Sequence, residues 1–462
     1  MVRVDPLDAG VPLAKNELMT TQLPLSPSAA SGFMTTLDRP KLRTLAASRF
    51  DHQGQPYALL QDPLGAFTSP VLVPLGAFIH VCRHFDGLTP LAEIPTRVQQ
   101  ATGQRLAAEV LERLVEQLDQ AMVLDGPTFA SFQETFRQSQ HRPAALAGRS
   151  YAAEDATLRA QLQGYFRGDG GAGPLSHEGP GRSRRLRGVL SPHIDFRRGG
   201  PVYTWSYREL AEQADIDTFV ILGVAHQPCR RHFALTLKDF ETPLGVVRTD
   251  RQYVERIAAA AGEELFDDEL VHRAEHSVEF QVVWLQYVLG KNRPFSIVPI
   301  LVGSFHDHLQ RGIDPIEDPQ VRRFVDALKA AESASGKNVA YIGGIDLCHV
   351  GPEFGDPHPV DGQLQETVRR FDGEMLDHAA AADPAQWFQT AATVSNRWRV
   401  CGLAATYTML HAIGPATGLL LRYDQALDDR RTCCVSFASM VFHTPEDPPG
   451  PERSPINAQT IA

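Results

Sequence analysis

The chain has 462 residues, of which 43% are hydrophobic and 21% charged, and its formal net charge is -11. This length allows roughly two or three domains, and the acidic balance argues against a nucleic-acid-binding surface over the whole molecule. No apolar run approaches the ~20 residues needed to cross a bilayer, and the N-terminus lacks a signal-peptide core, so we expect a cytoplasmic protein without membrane contact. The six cysteines show no CxxC spacing, which argues against a disulfide framework and a structural zinc knuckle.

The N-terminal part divides into an arm and a compact module. Residues 1–39 are rich in Pro, Ser, Thr and Ala without sustained periodicity, so we expect a flexible arm. Residues 40–136 predict a short strand, a helix starting near Val71, a helix capped by Thr89, a third helix with helical apolar spacing up to Met122, and a final short strand. This is the layout of a small winged-helix-like domain.

The motifs of this module add a resemblance. "DGLTPLAEI" and "LDQAMVLDGPTF" resemble the winged-helix peptide-chaperone domains found with radical SAM peptide-maturation enzymes. Winged helices more often bind DNA, but the predicted recognition helix is acidic, with Glu109, Glu112, Glu116 and Asp119 against Arg113. Phosphate binding needs the opposite balance. The sequence favours a protein- or peptide-docking role and leaves a purely structural role open.

Residues 142–443 alternate between apolar runs and amphipathic stretches, apart from a Gly- and Ser-rich loop at 168–185. The predicted strands are 188–190, 219–224, 234–237, 295–302, 339–345, 419–423 and 435–442. The predicted helices are 204–213, 250–261, 278–289, 321–335, 364–381 and 402–412. The alternation predicts an α/β domain with a mixed or parallel sheet covered by helices on both faces. The Pro-rich residues 444–462 are expected to form a disordered tail.

Two histidines follow predicted strands. His193 comes after an apolar run and before a Gly-Gly pair that we expect to form a turn, and His226 ends the run Ile-Leu-Gly-Val-Ala-His. Open α/β sheets place their ligands at the carboxyl edge of the strands. Imidazole is the commonest metal ligand among side chains, so two such strand ends can supply part of a metal site.

A third strand end carries Asp346 and His349 in "GIDLCHV". An acid beside an imidazole fixes its tautomer and raises its basicity, as a general base requires. We therefore predict that Asp346 orients His349 for proton transfer. The structural alternative is that Asp346 caps the next element and His349 belongs to a loop. Cys348 lies between them and is expected to be buried.

Two further stretches carry ionisable groups at the start of a predicted helix. Glu275 and Glu279 lie one turn apart, and either they point into a site or they complement the helix dipole; the spacing leaves both open. Cys401 stands just before another helix, where a thiol has a lowered pKa and is ready to bind a metal or attack an electrophile. The alternative for Cys401 is a buried free thiol.

Eight ordered motifs in residues 142–443 closely resemble the Memo family, called AmmeMemoRadiSam system protein B in prokaryotes. The motifs are "RPAALAGRSY", "SPHIDFRRGGPV", "FVILGVAHQP", "TPLGVVRTD", "EHSVEFQVVWLQ", "SIVPILVGSF", "IDLCHVGPEFG" and "VCGLAATYTML". The resemblance implies a fold similar to class III extradiol dioxygenases, which use non-haem Fe(II). It also implies that His193, His226 and Cys401 bind the metal. A thiolate ligand shifts the metal preference toward copper or toward a more reducible iron.

The resemblance also assigns the remaining residues. Asp346 and His349 match the family's neighbouring acid and histidine, with a catalytic role, and Glu275 and His276 match its acidic helix start, in the second shell or near the substrate. The sequence departs from the family where Gln227 follows His226, since relatives often carry a second histidine there. It also departs in "HIDF" and "GGIDLCHV", which alter the surroundings of the metal ligands.

These observations lead to two hypotheses. The first is a Memo-like protein that binds Fe(II) or copper and acts as a non-haem redox enzyme. Its expected partners are a radical SAM enzyme, an AmmeMemoRadiSam system protein A-like protein and a small-molecule or peptide ligand. The second is a non-catalytic adaptor whose pocket binds a peptide or protein partner.

Overall fold

The computed structural model describes residues 37–175, 185–213, 215–290 and 293–445. Nearly all of the predicted arm, most of the predicted tail and half of the predicted 168–185 loop lie outside these residues. The chain divides into two compact units, Met1–Ser139 and Gln140–Ala462. Among the described residues, no helix has the length and apolar character required to span a membrane.

In the part of the N-terminal unit that the structure describes, a small antiparallel sheet is combined with four α-helices. Its strands, in the order β1-β2-β3, are β1 (Ala46–His52), β2 (Gln55–Gln61) and β3 (Val71–Pro74). Its helices are α1 (Leu75–His80), α2 (Ile94–Thr102), α3 (Ala108–Gln120) and α4 (Pro127–Gln138). The predicted third helix is present as α3, which buries Leu111, Leu114 and Leu118 on one face. That face packs into a core shared with the sheet and α1.

Two local expectations for this unit are wrong. The stretch from Val71 begins as a strand, and its helix starts only at Leu75. Thr89 does not cap a helix: its backbone N–H and its hydroxyl both donate to Asp86 in a turn. Helix α2 begins later, at Ile94, because the carboxylate of Asp86 stabilises the turn conformation ahead of it.

The C-terminal unit is built on one mixed sheet, which has 11 strands among the described residues. The strands are β4 (His141–Arg142), β5 (Leu186–Ser191), β6 (Thr218–Val224), β7 (Phe233–Leu235), β8 (Asp239–Thr242), β9 (Gly245–Thr249), β10 (Ser296–Val302), β11 (Val339–Gly344), β12 (His349–Val350), β13 (Thr417–Leu427) and β14 (Cys434–His443). The order is β12-β14-β5-β11-β6-β10-β9-β8-β4, with β13 on β14 and β7 on β10. Neighbours from β5 to β9 run parallel.

Helices cover both faces of this sheet, as the sequence predicts. They are α5 (Asp155–Arg167), α6 (Phe196–Ala211), α7 (Arg251–Ala261), α8 (His276–Leu289), α9 (His306–Arg311), α10 (Pro319–Ser335), α11 (Gly362–Ala380), α12 (Pro384–Thr393) and α13 (Leu403–Ile413). Consecutive strand residues face opposite sides of a sheet. A Cβ on Gly343 would point toward Met409 of α13, whereas one on Gly344 would meet Ser277 of α8. The two helices therefore lie on opposite faces of β11.

The expected Gly-Gly turn after His193 is instead helical. Asp195 caps α6, and both Gly199 and Gly200 lie inside this helix. A Cβ on Gly199 would come within 2.3 Å of Ile194, and one on Gly200 within 2.6 Å of the Tyr165 ring. These glycines serve close packing rather than a turn.

Candidate metal centre

The strand register brings the three predicted strand ends together. Gly344 at the end of β11 pairs with Ser191 of β5 on one side and with Gly223 of β6 on the other. Because the three strands are parallel, the residues that follow them leave the sheet at the same edge. His193, Asp346 and His226 therefore meet, and the ring centroids of the two histidines lie 5.0 Å apart.

His193 is buried and its orientation is fixed on one side. Its Nδ1 lies 2.9 Å from the carbonyl oxygen of Gly344, to which it donates, so Nε2 carries the lone pair. Burial first, and then the rings of His226 and His276, lower the pKa of His193 well below its usual value. The imidazole is therefore neutral at neutral pH, as a metal ligand must be.

Glu275 orients two more imidazoles. Its carboxylate caps α8 by accepting from the backbone N–H groups of His276 and Ser277, at 2.8 and 3.0 Å. Its oxygens also lie 3.0 Å from Nδ1 of His226 and 3.1 Å from Nδ1 of His276. Burial opposes the charged form of Glu275, but the two histidines outweigh it and hold its pKa well below the usual range. The two alternatives that the sequence left open are both realised: Glu275 caps its helix and reaches the site.

The same carboxylate acts on His226. Burial disfavours the charged ring, but the charge and hydrogen bond of Glu275 outweigh it and raise the pKa of His226. The carboxylate also accepts from the backbone N–H of His226 at 3.0 Å. A carboxylate bonded to Nδ1 is the usual partner of a metal-ligating histidine, because it fixes the tautomer that exposes Nε2.

His276 joins this group as a third imidazole. Its ring stacks on His226 with centroids 4.6 Å apart, and it lies 5.1 Å from His193. One ligand atom from each of His193, His226 and His276 lies within 4.8 Å of the others. The sequence placed His276 only in the second shell or near the substrate. The sequence signal for a closer role was the body of α8, which is mostly apolar and has no continuous polar face, as expected of a helix buried inside the protein.

Cys401 lies at the edge of the three histidines. Its Sγ is 3.3 Å from Nε2 of His193 and 3.5 Å from the carbonyl oxygen of Asp346. The expected lowering of its pKa is wrong: burial, with the charge of Asp346, raises the pKa of the thiol well above its usual value. The thiol gains little from α13, because that helix begins only at Leu403 and lies beyond it. A bound cation is what would favour the thiolate here.

Asp346 and His349 are not paired as the sequence predicted. The carboxylate of Asp346 accepts from the backbone N–H groups of His193 and Ile194, at 3.0 and 3.3 Å. Burial raises the pKa of Asp346 to about 7 against these bonds. His349 instead directs Nδ1 to the carbonyl oxygens of Leu347 and Arg399, both at 3.1 Å. Asp346 therefore holds the loop that carries His193.

Burial also sets the state of His349. It lowers the pKa of the ring to about 4, so the ring is neutral at neutral pH. Cys348 is buried as expected, and its Sγ donates to Asp372 at 3.0 Å. The side chain of Cys348 therefore lies in the core, whereas that of His349 is partly exposed and contacts the backbone of Arg399.

A buried ion pair supports the start of α8. Arg142 and Glu279 are both fully buried and bonded to each other. Arg142 also donates to the backbone carbonyls of His272 and Glu275, at 2.9 and 2.7 Å. The arginine of the first motif therefore fixes the backbone of Glu275, while Glu279 does not enter the site.

A pocket of about 290 Å³ opens beside the histidines. His226 and Cys401 lie on its wall, which is otherwise largely apolar, with Val302, Phe305 and Leu403 among its residues. Arg399 lines it as well and is held by Asp356, at 2.7 Å. The loop before Cys401 has left-handed backbone at Ser395, Asn396 and Arg399, a conformation that costs energy and is common in functional loops.

The donor set fits a transition metal. Three imidazoles at one centre, with a buried carboxylate behind two of them, suit zinc, copper or iron. A thiolate at Cys401 would be a fourth ligand, since its sulfur lies at the distance from His193 Nε2 that two ligands of one metal share. His226 keeps about a third of its side chain exposed, so one side of the centre faces the pocket.

Fold and site together define an α/β protein with a histidine-rich centre at the carboxyl edge of a parallel sheet. The family model of Memo-like proteins matches residues 142–441, and the chain belongs to the Memo family. A MEMO1 family protein of Methanopyrus kandleri is 30% identical over 313 residues, which cover 65% of this chain and 98% of the relative.

Two further relatives match more of the chain. A MEMO1 family protein of Aquifex aeolicus is 25% identical over 399 residues, covering 84% of this chain and 97% of its own. A MEMO1 family protein of Thermus thermophilus is 26% identical over 354 residues, which cover 76% of this chain and 98% of the relative. In both cases the matched part of this chain is longer than the C-terminal unit, so these relatives also match part of the N-terminal unit.

Proposed function

We propose that this protein is a metal-dependent redox enzyme in which His193, His226 and His276 hold Fe(II) or copper, with Cys401 as a further ligand. The observation that carries the proposal is the arrangement of three imidazoles around one centre beside a pocket. Glu275 binds two of these rings and is itself fixed by backbone N–H groups. A buried carboxylate that orients imidazoles is typical of metal-ligating histidines, and a merely structural histidine cluster does not need one.

The metal, when bound, supplies the redox chemistry and a positive charge at the mouth of the pocket. The side chains of the protein hold the proposed metal ligands in place and provide a group that can accept a proton. Asp346 fixes the loop of His193 through two backbone bonds. His349 is the proposed proton-transfer group: with Nδ1 directed to two carbonyl oxygens, its Nε2 carries the lone pair that accepts a proton.

The size of the pocket favours a small-molecule ligand over a peptide. A volume of about 290 Å³ corresponds to the lower end of small-molecule sites. Its apolar wall would bind the body of such a ligand, and the guanidinium of Arg399 would attract an anionic or polar end. The alternative, a non-catalytic adaptor, would use the same pocket without a metal.

The test is the metal content of the full chain purified without oxygen. We expect about one equivalent of iron or copper, lost in His193→Ala and His276→Ala and altered in metal preference in Cys401→Ser. His358→Ala is the control, because this histidine is exposed and lies outside the three-histidine cluster. No stoichiometric iron or copper, with unchanged ligand binding in the variants, would favour the adaptor.

The proposed partners are a radical SAM enzyme and an AmmeMemoRadiSam system protein A-like protein, and the family resemblance supports them. The N-terminal unit is the proposed docking domain, since its α3 is acidic on its exposed side, with Glu109, Glu112 and Glu116. Co-purification of the full chain with such an enzyme should weaken when these three acids are replaced by glutamine. Unchanged co-purification would remove this unit from the interaction.

A further inference from the structure

A second cluster of metal-ligating side chains lies outside the centre described above. Among the described residues, His232, His308 and Asp318 bring one ligand atom each to within 4.8 Å of the others. They come from three elements: His232 precedes β7, His308 lies in α9, and Asp318 caps α10. None of the three belongs to the first centre or to the eight motifs.

The distances in this cluster suit a single ion. Nε2 of His308 lies 3.2 Å from Oδ2 of Asp318, and Nε2 of His232 lies 3.9 Å from the same oxygen. Two ligand atoms about 2.0 Å from one tetrahedral ion are about 3.3 Å apart, so a small rotation of the His232 side chain completes the geometry. Asp318 is held in place because its other oxygen, Oδ1, accepts from the backbone N–H of Gln320 at 2.8 Å.

Hydrogen bonding alone gives a poor account of His308. Its side chain is fully buried, and its Nε2 bonds to Asp318. Its Nδ1 has no hydrogen-bond partner among the described residues. Burying a polar ring with one nitrogen unsatisfied is costly, and a phenylalanine or leucine would fill the space without that cost. What indicates a ligand is the other nitrogen: Nε2 faces the carboxylate of Asp318 at 3.2 Å, a distance that two ligands of one ion adopt.

Phe305 links the cluster to the pocket. Its ring centroid lies 5.5 Å from that of His232 and 5.3 Å from that of His308. Phe305 also lines the pocket whose wall contains His226 and Cys401. The chain between β10 and α9 therefore contacts both the second cluster and the pocket through Phe305.

We propose that His232, His308 and Asp318 bind a second divalent metal ion of the zinc type, which fixes the β10–α9 segment as a wall of the pocket. Two imidazoles and a carboxylate are ligands that zinc accepts, and they leave a fourth position for water. About a fifth of the His232 and Asp318 side chains is exposed, so an ion and its water reach the site from solvent. The site has no sulfur ligand, which distinguishes it chemically from the first centre.

The experiment uses the full chain in a background that disables the first centre: His193→Ala, His276→Ala and Cys401→Ser together. Equilibrium dialysis against zinc should find one equivalent in this background. Asp318→Asn should abolish it, and because asparagine is as good a helix cap as aspartate, α10 should remain intact by circular dichroism. His308→Asn should also abolish it. His306→Ala, in the same short helix but exposed and outside the cluster, should keep it.

Cobalt gives a second readout that separates the two sites. In the background variant, bound cobalt should show visible d–d bands without the near-ultraviolet charge-transfer band of a cobalt–thiolate bond. A background variant that binds no zinc, or zinc binding that survives both Asp318→Asn and His308→Asn, would overturn the proposal. Loss of iron or copper from the first centre changes neither result, so the two proposals fail separately.

Discussion

Replacing Glu275 by glutamine should weaken metal binding without removing a metal ligand. The carboxylate accepts from five donors: Nδ1 of both His226 and His276, and the backbone N–H groups of His226, His276 and Ser277. A glutamine amide keeps one accepting oxygen and turns the other into a donor. If its oxygen stays toward His276 and Ser277, its NH₂ faces the N–H groups of His226.

His226 must then rotate or change tautomer, and its Nε2 no longer presents a lone pair to the centre. Loss of such a supporting carboxylate lowers metal affinity by about 10- to 100-fold, which equals about 1.4 to 2.7 kcal/mol. Anaerobic competition against a chelator measures this change, with Glu255→Gln on the exposed face of α7 as the matched control. Equal affinities for Glu275→Gln and the wild type would refute the role of Glu275 in orienting the imidazoles.

Three further substitutions test the framework by denaturant unfolding. Glu279→Gln leaves the charge of Arg142 unpaired in the core, and we expect a loss of about 3 to 5 kcal/mol in the free energy of unfolding. Gly200→Ala places a methyl group against the Tyr165 ring and should cost about 1 to 3 kcal/mol. Burial raises the pKa of Asp372 to about 6 in the folded protein, above its unfolded value, so stability should fall as pH rises from about 4 to 6. Asp372→Asn should remove this fall.

Each of these three variants has a matched control substitution. Glu366→Gln breaks an exposed ion pair and should change stability by less than about 1 kcal/mol. Gly164→Ala adds a methyl group to a helix where nothing lies within 4 Å and should be neutral or stabilising. Asp377→Asn, exposed on the same helix as Asp372, should keep the pH dependence of the wild type. If a variant and its counterpart behave alike, the corresponding contact does not have the role assigned to it.

The strand-end residues were predictable because their signal is local. An apolar run that stops at a polar residue marks a strand end, and parallel strands put their carboxyl ends at one edge, so His193, His226 and Asp346 could be expected to meet. The start of α8 was also visible, because its first acid precedes an apolar body. Which way that acid points depends on the sheet packed beneath it, and no spacing within the helix records this.

The partners of these residues could not be read from the sequence, because they are distant in the chain. Arg142 meets Glu279 across 137 positions, and Cys401 meets His193 across 208. The expected pairing of Asp346 with His349 used sequence proximity, but the backbone carbonyls of Leu347 and Arg399 satisfy His349 instead. The expected lowering of the Cys401 pKa neglected burial, which opposes any charged form.

The order of strands in the sheet sets the time at which the first centre can form. β5 and β6 precede β11 in the chain but do not pair with each other, since β11 lies between them. During synthesis from the N-terminus, His193 and His226 therefore cannot reach their final separation until residues 339–344 have been added and inserted. Cys401 follows later still. A nascent chain thus lacks the complete donor set, and under the proposed function metal loading would follow folding of nearly the whole C-terminal unit.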